Sequence, residues 1–266
     1  MSDRAAVLRA AMDALGSDGT LLLLADYDGT LTRIADDPRD AWLSKRVRDD
    51  LSTLAGTERV HVAVLSGRSV DDLQARIGVP GFIYAGCHGL EVEGPGISFR
   101  HPAAEARRPT MRDVAATLRR RLAAIPGAVI EAKDLAVTIH YGNVAPEMLE
   151  RLELEIERTT RERTGLRLLG GRKVVELLPT LGWDKGECAL WIRARLRTAG
   201  VSTLVTVYLG DDMTDEIAFA ALPPDVISVR VGVGPTAARY QLDDVAAVEE
   251  LIGGMTAALG EVRSCE

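Results

Sequence analysis

Runs of branched apolar residues recur along the chain, separated by stretches of helical spacing. The short, nearly all-apolar segments at 20–25, 60–65, 82–85, 204–209 and 226–231 read as strands buried on both faces. Apolar residues recurring every three or four positions at 44–54, 70–77, 187–198 and 244–259 read as the helices between them. Buried strands alternating with helices build an α/β fold around a doubly wound parallel sheet of Rossmann-like type.

The middle of the chain has another rhythm. Residues 109–124 are helical, and 129–133 and 135–141 then alternate like two strands joined by a tight turn. The order repeats: 146–163 has helix spacing with Pro146 near its start, and 166–169 and 173–178 form a second hairpin across Gly170 and Gly171. The pattern predicts an αββαββ cap at residues 105–180, inserted into a core made of 1–104 and 181–266.

Composition narrows the function classes. The 266 residues are 47% apolar and 27% charged, enough to bury a sizeable core in one or two domains. A net charge of -7 provides no basic footprint for phosphate backbones or anionic lipid, so nucleic-acid and membrane partners are not expected. Cys87, Cys188 and Cys265 form no C-x-x-C pair, which fits a reducing compartment without disulfide or zinc clip. The apolar run at 21–25 is far too short for a membrane span, and Asp3, Arg4, Arg9 and Asp13 before it are unlike a signal peptide, so a cytoplasmic protein is expected. Only four of the 32 basic residues are lysines, Lys45, Lys133, Lys173 and Lys185, so each lysine calls for a reason.

Candidate chemistry collects at strand ends, where open α/β sheets bind ligands. The first strand ends in Asp26-Tyr27-Asp28-Gly29-Thr30, and a later one in Gly210-Asp211-Asp212-Met213-Thr214-Asp215-Glu216. A lone pair of acids would be an ordinary turn, but this many carboxylates repel one another unless a cation neutralises them. Oxygen ligands suit Mg²⁺. Ser66-Gly67-Arg68 follows the second strand, where Ser66 is either a helix N-cap or a hydroxyl facing phosphate. Lys185-Gly186 opens a helix, a place for a compact cation held against phosphate and carboxylate. His61, inside a strand, reads as a core residue, and Arg119 to Arg121 as a solvated helix face.

The ordered motifs DYDGTLT, SGR, DKG and GDDMTDE resemble those of the haloacid-dehalogenase-type phosphohydrolases and, within them, the trehalose-6-phosphate phosphatases. The resemblance extends to Gly86-Cys87-His88-Gly89-Leu90-Glu91, Glu131-Ala132-Lys133, His140-Tyr141, Lys173-Val174-Val175-Glu176 and 236–248. It implies a nucleophilic Asp26 that forms an aspartyl-phosphate, Asp28 as general acid and base, and Ser66 and Lys185 as charge-neutralising catalytic groups. It also implies Mg²⁺ on the Asp26 carboxylate, the Asp28 carbonyl and Asp211, with Asp212 and Asp215 in or next to the coordination shell. Position separates the subtypes: 37 residues lie between Asp28 and Ser66 and 118 between Ser66 and Lys185, so the cap follows the second motif. That arrangement favours sugar phosphatases over mutases with helical caps after the first motif.

The implied activity is hydrolysis of trehalose 6-phosphate by a monomeric enzyme with a small sugar phosphate as its partner. Gly67, Arg68 and His88 are expected against substrate, and Glu131, Lys133, Lys173 and Glu176, alternating along the cap hairpins, against the sugar hydroxyls. Two positions depart from the family pattern, Gly142 and Leu178 standing where arginines are usual. The alternatives are a phosphatase of another sugar or cyclitol-glycoside phosphate with a retuned lid and, more remotely, a non-catalytic sugar-phosphate sensor.

Overall fold

The computed structural model describes residues 3–35, 37–171 and 173–262; Cys265 lies outside them. The chain divides into two compact units, one built from the described residues up to Phe99 and from Trp183 onward, the other Arg100–Gly182. The second unit thus opens five residues before, and closes two after, the insert read from hydrophobic pattern. No helix among the described residues is long and apolar enough to cross a membrane.

In chain order the first unit runs α1 (Arg4–Leu15), β1 (Thr20–Asp26), α2 (Lys45–Ala55), β2 (Val60–Leu65), α3 (Val70–Ile77), β3 (Ile83–Gly86), β4 (Glu91–Gly94) and β5 (Ile97–Arg100), whose last residue is the first of the second unit. The second holds α4 (Pro102–Glu105), α5 (Arg108–Arg121), β6 (Val129–Ala132), β7 (Val137–His140), α6 (Leu149–Arg161), β8 (Leu166–Gly171) and β9 (Val174–Pro179). The chain then returns to the first with α7 (Lys185–Thr198), β10 (Leu204–Gly210), α8 (Met213–Ala221), β11 (Val226–Val231), β12 (Tyr240–Leu242) and α9 (Val245–Val262).

Among the described residues the first unit carries an eight-stranded sheet ordered β12-β11-β10-β1-β2-β3-β4-β5, parallel from β12 through β3. β1 and its neighbour β10 are buried along their whole length, which is why they lack polar alternation. Side chains leaving β1 alternately join two apolar clusters, Leu21 and Leu23 packing with α1, α2 and α9, Leu22 and Leu24 with α7 and α8. β4, antiparallel to β3, with β5 beside it and the three-residue β12 at the other end, extend the sheet beyond the strands expected from sequence, being too short and too polar to stand out.

Sharp caps place the helices. Ser44 Oγ accepts from Val47 N at the start of α2, and Ser69 Oγ from Asp72 N at the start of α3. Since Ser69 is the cap of α3, Ser66 does not serve that purpose.

The second unit has a four-stranded antiparallel sheet ordered β6-β7-β9-β8. One face packs Val137, Ile139 and Leu177 against Met111, Val114, Leu118, Leu152 and Ile156 of α5 and α6. The other presents the intervening polar positions, as strand alternation requires. One expectation is corrected: Gly170 and Gly171 are not the hairpin turn but pair with Val175 and Val174, and the reversal follows them, with Lys173 at φ 58°. Lys133 and Lys173 consequently lie just outside the strands, whereas Glu131 and Glu176 are within them.

Candidate active site

Register decides which residues meet. Ala25 of β1 lies opposite Leu209 of β10, and Asp26 opposite Leu65 of β2. Three parallel neighbours end at one edge, so the segments beginning at Tyr27, Ser66 and Asp211 emerge side by side.

The buried carboxylate of Asp26 accepts from Lys185 Nζ at 2.7 Å. The same ammonium donates to Asp215 Oδ1 at 2.9 Å and lies 3.8 Å from Asp212. Lys185 is delivered by the first turn of α7, whose N-cap Asp184 accepts from the amides of Gly186 and Glu187. Thr30 donates its hydroxyl to Asp211 Oδ1 at 3.0 Å. Between them Gly29 turns at φ 90°, and a Cβ there would stand 2.1 Å from Asp211 Oδ2, so only glycine fits.

Asp212 and Asp215 form a capping box at the start of α8. Asp212 Oδ1 accepts from the amides of Thr214 and Asp215 and from the Thr214 hydroxyl. Asp215 is fully buried and receives four donors: Lys185, the Tyr208 hydroxyl at 2.9 Å, and the amides of Asp211 and Asp212 at 3.2 Å each.

Burial pushes the Asp26 carboxyl well above its usual range, with Lys185 opposing and Asp215 and Asp211 reinforcing the rise. Burial likewise takes Asp211 up to about 6 and Asp215 up to about 7. Asp212 goes the other way: although burial opposes it, Lys185 and the donors of α8 hold it below the carboxylate range. Burial would lower Lys185, but the Asp215 and Asp26 carboxylates outweigh it and raise the ammonium.

One oxygen each from Asp26, Asp211 and Asp215 lie within 4.8 Å of one another. Three carboxylates, two of them buried, around one ammonium leave excess negative charge, and all the donor atoms are hard oxygens; the set fits a divalent cation such as Mg²⁺. Asp28 stands outside this group. Both of its oxygens are held by Arg68, whose Nε and Nη2 each donate at 2.7 Å.

Ser66, buried, sits between two tied segments. Its amide donates to the Ala85 carbonyl, its own carbonyl accepts from His88 N at 2.8 Å, and its hydroxyl accepts from Arg68 N at 3.2 Å. Gly67 forms the bend that follows. Cys87, His88 and Gly89 are all left-handed, at φ 49°, 58° and 87°, a costly run for two residues with side chains. The Cys87 amide donates to the Arg68 carbonyl, so this turn and the Ser66 loop hold one another in place.

In the second unit Glu131, Thr138 and Glu176 lie in one cross-strand row. Lys133 Nζ donates to Glu176 at 2.8 Å, Thr138 donates to the same oxygen at 3.1 Å, and His140 Nε2 lies 2.9 Å from Glu131. Burial would raise the Glu131 carboxyl, but His140 and Lys133 bring it below its usual value. Lys173 is exposed in its turn, its stem passing over Gly142, where a Cβ would lie 3.2 Å from Lys173 Cδ.

Residues 24–246 match the model of the trehalose-phosphatase family. The chain belongs to that family. It is 39% identical over 262 residues to a trehalose-phosphate phosphatase of Mycobacterium tuberculosis, covering 94% of this chain and 66% of the relative, so it spans slightly less than two thirds of that protein. Its fold is shared with a trehalose-6-phosphate phosphatase related protein at a TM-score of 0.79 and 24% identity, over 90% of this chain and 99% of that one. It also resembles the Aspergillus fumigatus trehalose-6-phosphate phosphatase, TM-score 0.61 and 29% identity, over 96% and 98% of the two chains.

Within this member of the trehalose-phosphatase family, sequence reasoning missed three site groups. Thr30 holds Asp211, Tyr208 holds Asp215, and Asp72 holds Arg68. Tyr208 had a signal, the one aromatic ring of a mainly aliphatic strand, because a buried Tyr oxygen seeks a partner.

Proposed function

We propose that the chain is a divalent-cation-dependent phosphatase that hydrolyses trehalose 6-phosphate to trehalose and inorganic phosphate. The observation that carries this reading is the buried Lys185 ammonium joining Asp26 to Asp215, with Asp211 in the same carboxylate group. Family membership and the mycobacterial relatives' name supply the substrate.

In this reading Asp26, Asp211 and the main-chain carbonyl of Asp28 would hold Mg²⁺, with Asp212 and Asp215 beside them. When bound, the ion neutralises phosphate charge. An Asp26 oxygen forms a bond to phosphorus as the bond to the sugar oxygen breaks, and the Asp28 carboxyl gives that oxygen its proton. Asp28, now a carboxylate, takes a proton from water as the water oxygen bonds phosphorus and Asp26 is released. Lys185 and the Ser66 hydroxyl steady the phosphoryl oxygens, and Gly67 and His88 line the approach. Glu131, Lys133, Lys173 and Glu176 read the sugar.

A second reading, a phosphatase of another sugar or cyclitol-glycoside phosphate, draws on Gly142 and Leu178. Turnover of a panel of sugar phosphates with Mg²⁺ decides between the two, and preference for another disaccharide phosphate would displace trehalose. Rapid acid quench should trap a base-labile phosphoenzyme in wild type and none in Asp26→Asn; Asp28→Asn should lose ~10²–10⁴-fold in rate.

A further inference from the structure

Arg68 follows the second motif and would be an obvious phosphate ligand, yet its donors are spent elsewhere. Nε and one Nη2 hydrogen go to the two oxygens of Asp28, and the other Nη2 hydrogen to the Pro38 carbonyl at 2.8 Å. Nη1 donates to Asp72 Oδ2 at 2.8 Å. Four of the five guanidinium N–H groups are thereby used, and the cation lies 5.3 Å from the centre of the Tyr27 ring.

Asp72 is itself anchored. Both of its oxygens accept from Arg76 Nε at 2.9 Å. Arg76 Nη1 donates to the carbonyls of Arg39 and Ala41 at 3.2 and 2.9 Å, and its guanidinium lies 5.0 Å from the Trp42 ring centre. Asp72 and Arg76 lie one turn apart on one face of α3, and Arg68 reaches Asp72 from the bend just before the Ser69 cap. The result is an alternating chain, Asp28, Arg68, Asp72, Arg76, whose far end is fastened to the carbonyls of the loop leading from Asp28 to α2. Asp72 and Arg76 belong to α3, Arg68 to the bend before it, and Asp28, at the near end, to the catalytic edge. A fork-on-fork pair fixes a carboxylate's plane as well as its position, which a point charge cannot do.

We propose that Arg68 is a positioning residue that acts on the reaction through Asp28 rather than through the phosphate, and that Asp72, held by Arg76, sets the direction of its fork. This rests on the reading of Asp28 as the proton-transfer group. It makes Asp72, a residue of an apparently ordinary helix surface, part of what aims the proton.

Leaving-group chemistry tests it. A sugar oxygen needs a proton as it departs, whereas p-nitrophenolate does not, so loss of Asp28 aim is felt with the first and spared in the first turnover of the second. With the full chain and Mg²⁺, Arg68→Met should lower kcat on trehalose 6-phosphate roughly 10–100-fold. Its KM, the inhibition constant of inorganic phosphate and the rate of the p-nitrophenolate burst should each change less than about threefold. Arg68→Lys keeps a cation between the two carboxylates, guarding against misfolding, and should show the same split. Asp72→Asn should reproduce it more weakly, with Asp72→Glu recovering part of the loss. A tenfold or greater weakening of phosphate inhibition, or a burst that falls in step with kcat, would overturn the proposal and make Arg68 a phosphate ligand. A wild-type kcat in Asp72→Asn would overturn the role of Asp72. Failure of the phosphatase reading looks different: the wild-type chain would then turn over neither substrate.

Discussion

Lys185 Nζ and Asp26 Oδ1 are 2.7 Å apart, and both side chains are withdrawn from water. The pair neutralises only one of the charges present, because Asp215 shares the same ammonium. Removing the cation leaves buried carboxylates without compensation, a loss of about 3–5 kcal/mol for a broken buried pair. Lys185→Met should therefore abolish turnover and also lower the urea midpoint. An unchanged midpoint would show that the cluster carries no such load.

The raised carboxyls couple stability to pH. Asp211 near 6 and Asp215 near 7 hold protons more tightly folded than unfolded, where an aspartate sits near 3.8. Their favourable contribution is therefore full below about pH 4 and is lost as pH rises through 6 to 7. The metal-free chain should melt at lower temperature at pH 8 than at pH 5.5, and Mg²⁺ should raise the melting temperature more at pH 8. Equal Mg²⁺ shifts at both pH values, read by differential scanning calorimetry, would contradict this account.

Gly29→Ala puts a methyl group where Asp211 Oδ2 now stands, at a φ of 90° that alanine resists. Asp211 must move, so weaker Mg²⁺ binding by calorimetry and at least a tenfold loss of kcat are expected, with the fold retained by circular dichroism. Wild-type Mg²⁺ affinity would mean Asp211 is not a ligand.

On the polar sheet face, Lys133→Ala strips Glu176 of its 2.8 Å partner. Lys133→Ala and Glu176→Ala should each lower kcat/KM for trehalose 6-phosphate by about 1–3 kcal/mol of lost contacts, a factor of tens. Activity on p-nitrophenyl phosphate, which offers no sugar hydroxyls, should hold within about twofold. An equal fall on both substrates would remove these residues from sugar recognition.

What sequence disclosed follows from burial. β2 and β11 have the bounds read from apolar runs, since a strand covered on both faces has no other way to be written. α8 stayed hidden because its first turn lies inside the acidic motif, where Asp212 and Asp215, candidates for metal chemistry, also have the spacing of a capping box. The Gly170-Gly171 pair drew the turn to itself, although Lys173 adopts the left-handed conformation instead. Asp72 and Arg76 carry no mark in the sequence beyond helical spacing, and their role shows only in the ion pairs to Arg68 and the 39–41 carbonyls. Only the folded register brings Asp28 to Arg68, across 40 residues of sequence.

The central position of β1 also governs how the protein is born. Asp26 emerges from the ribosome 159 residues before Lys185, and the β10 edge of β1 remains uncovered until after that. At ordinary synthesis rates the delay is roughly 10–30 s, with an uninterrupted apolar strand waiting for its partner. The interposed second unit lengthens that wait. Nascent-chain aggregation should therefore be governed by the Leu21 to Leu24 stretch, making chaperone dependence during translation a direct cost of threading the catalytic edge from both ends of the chain.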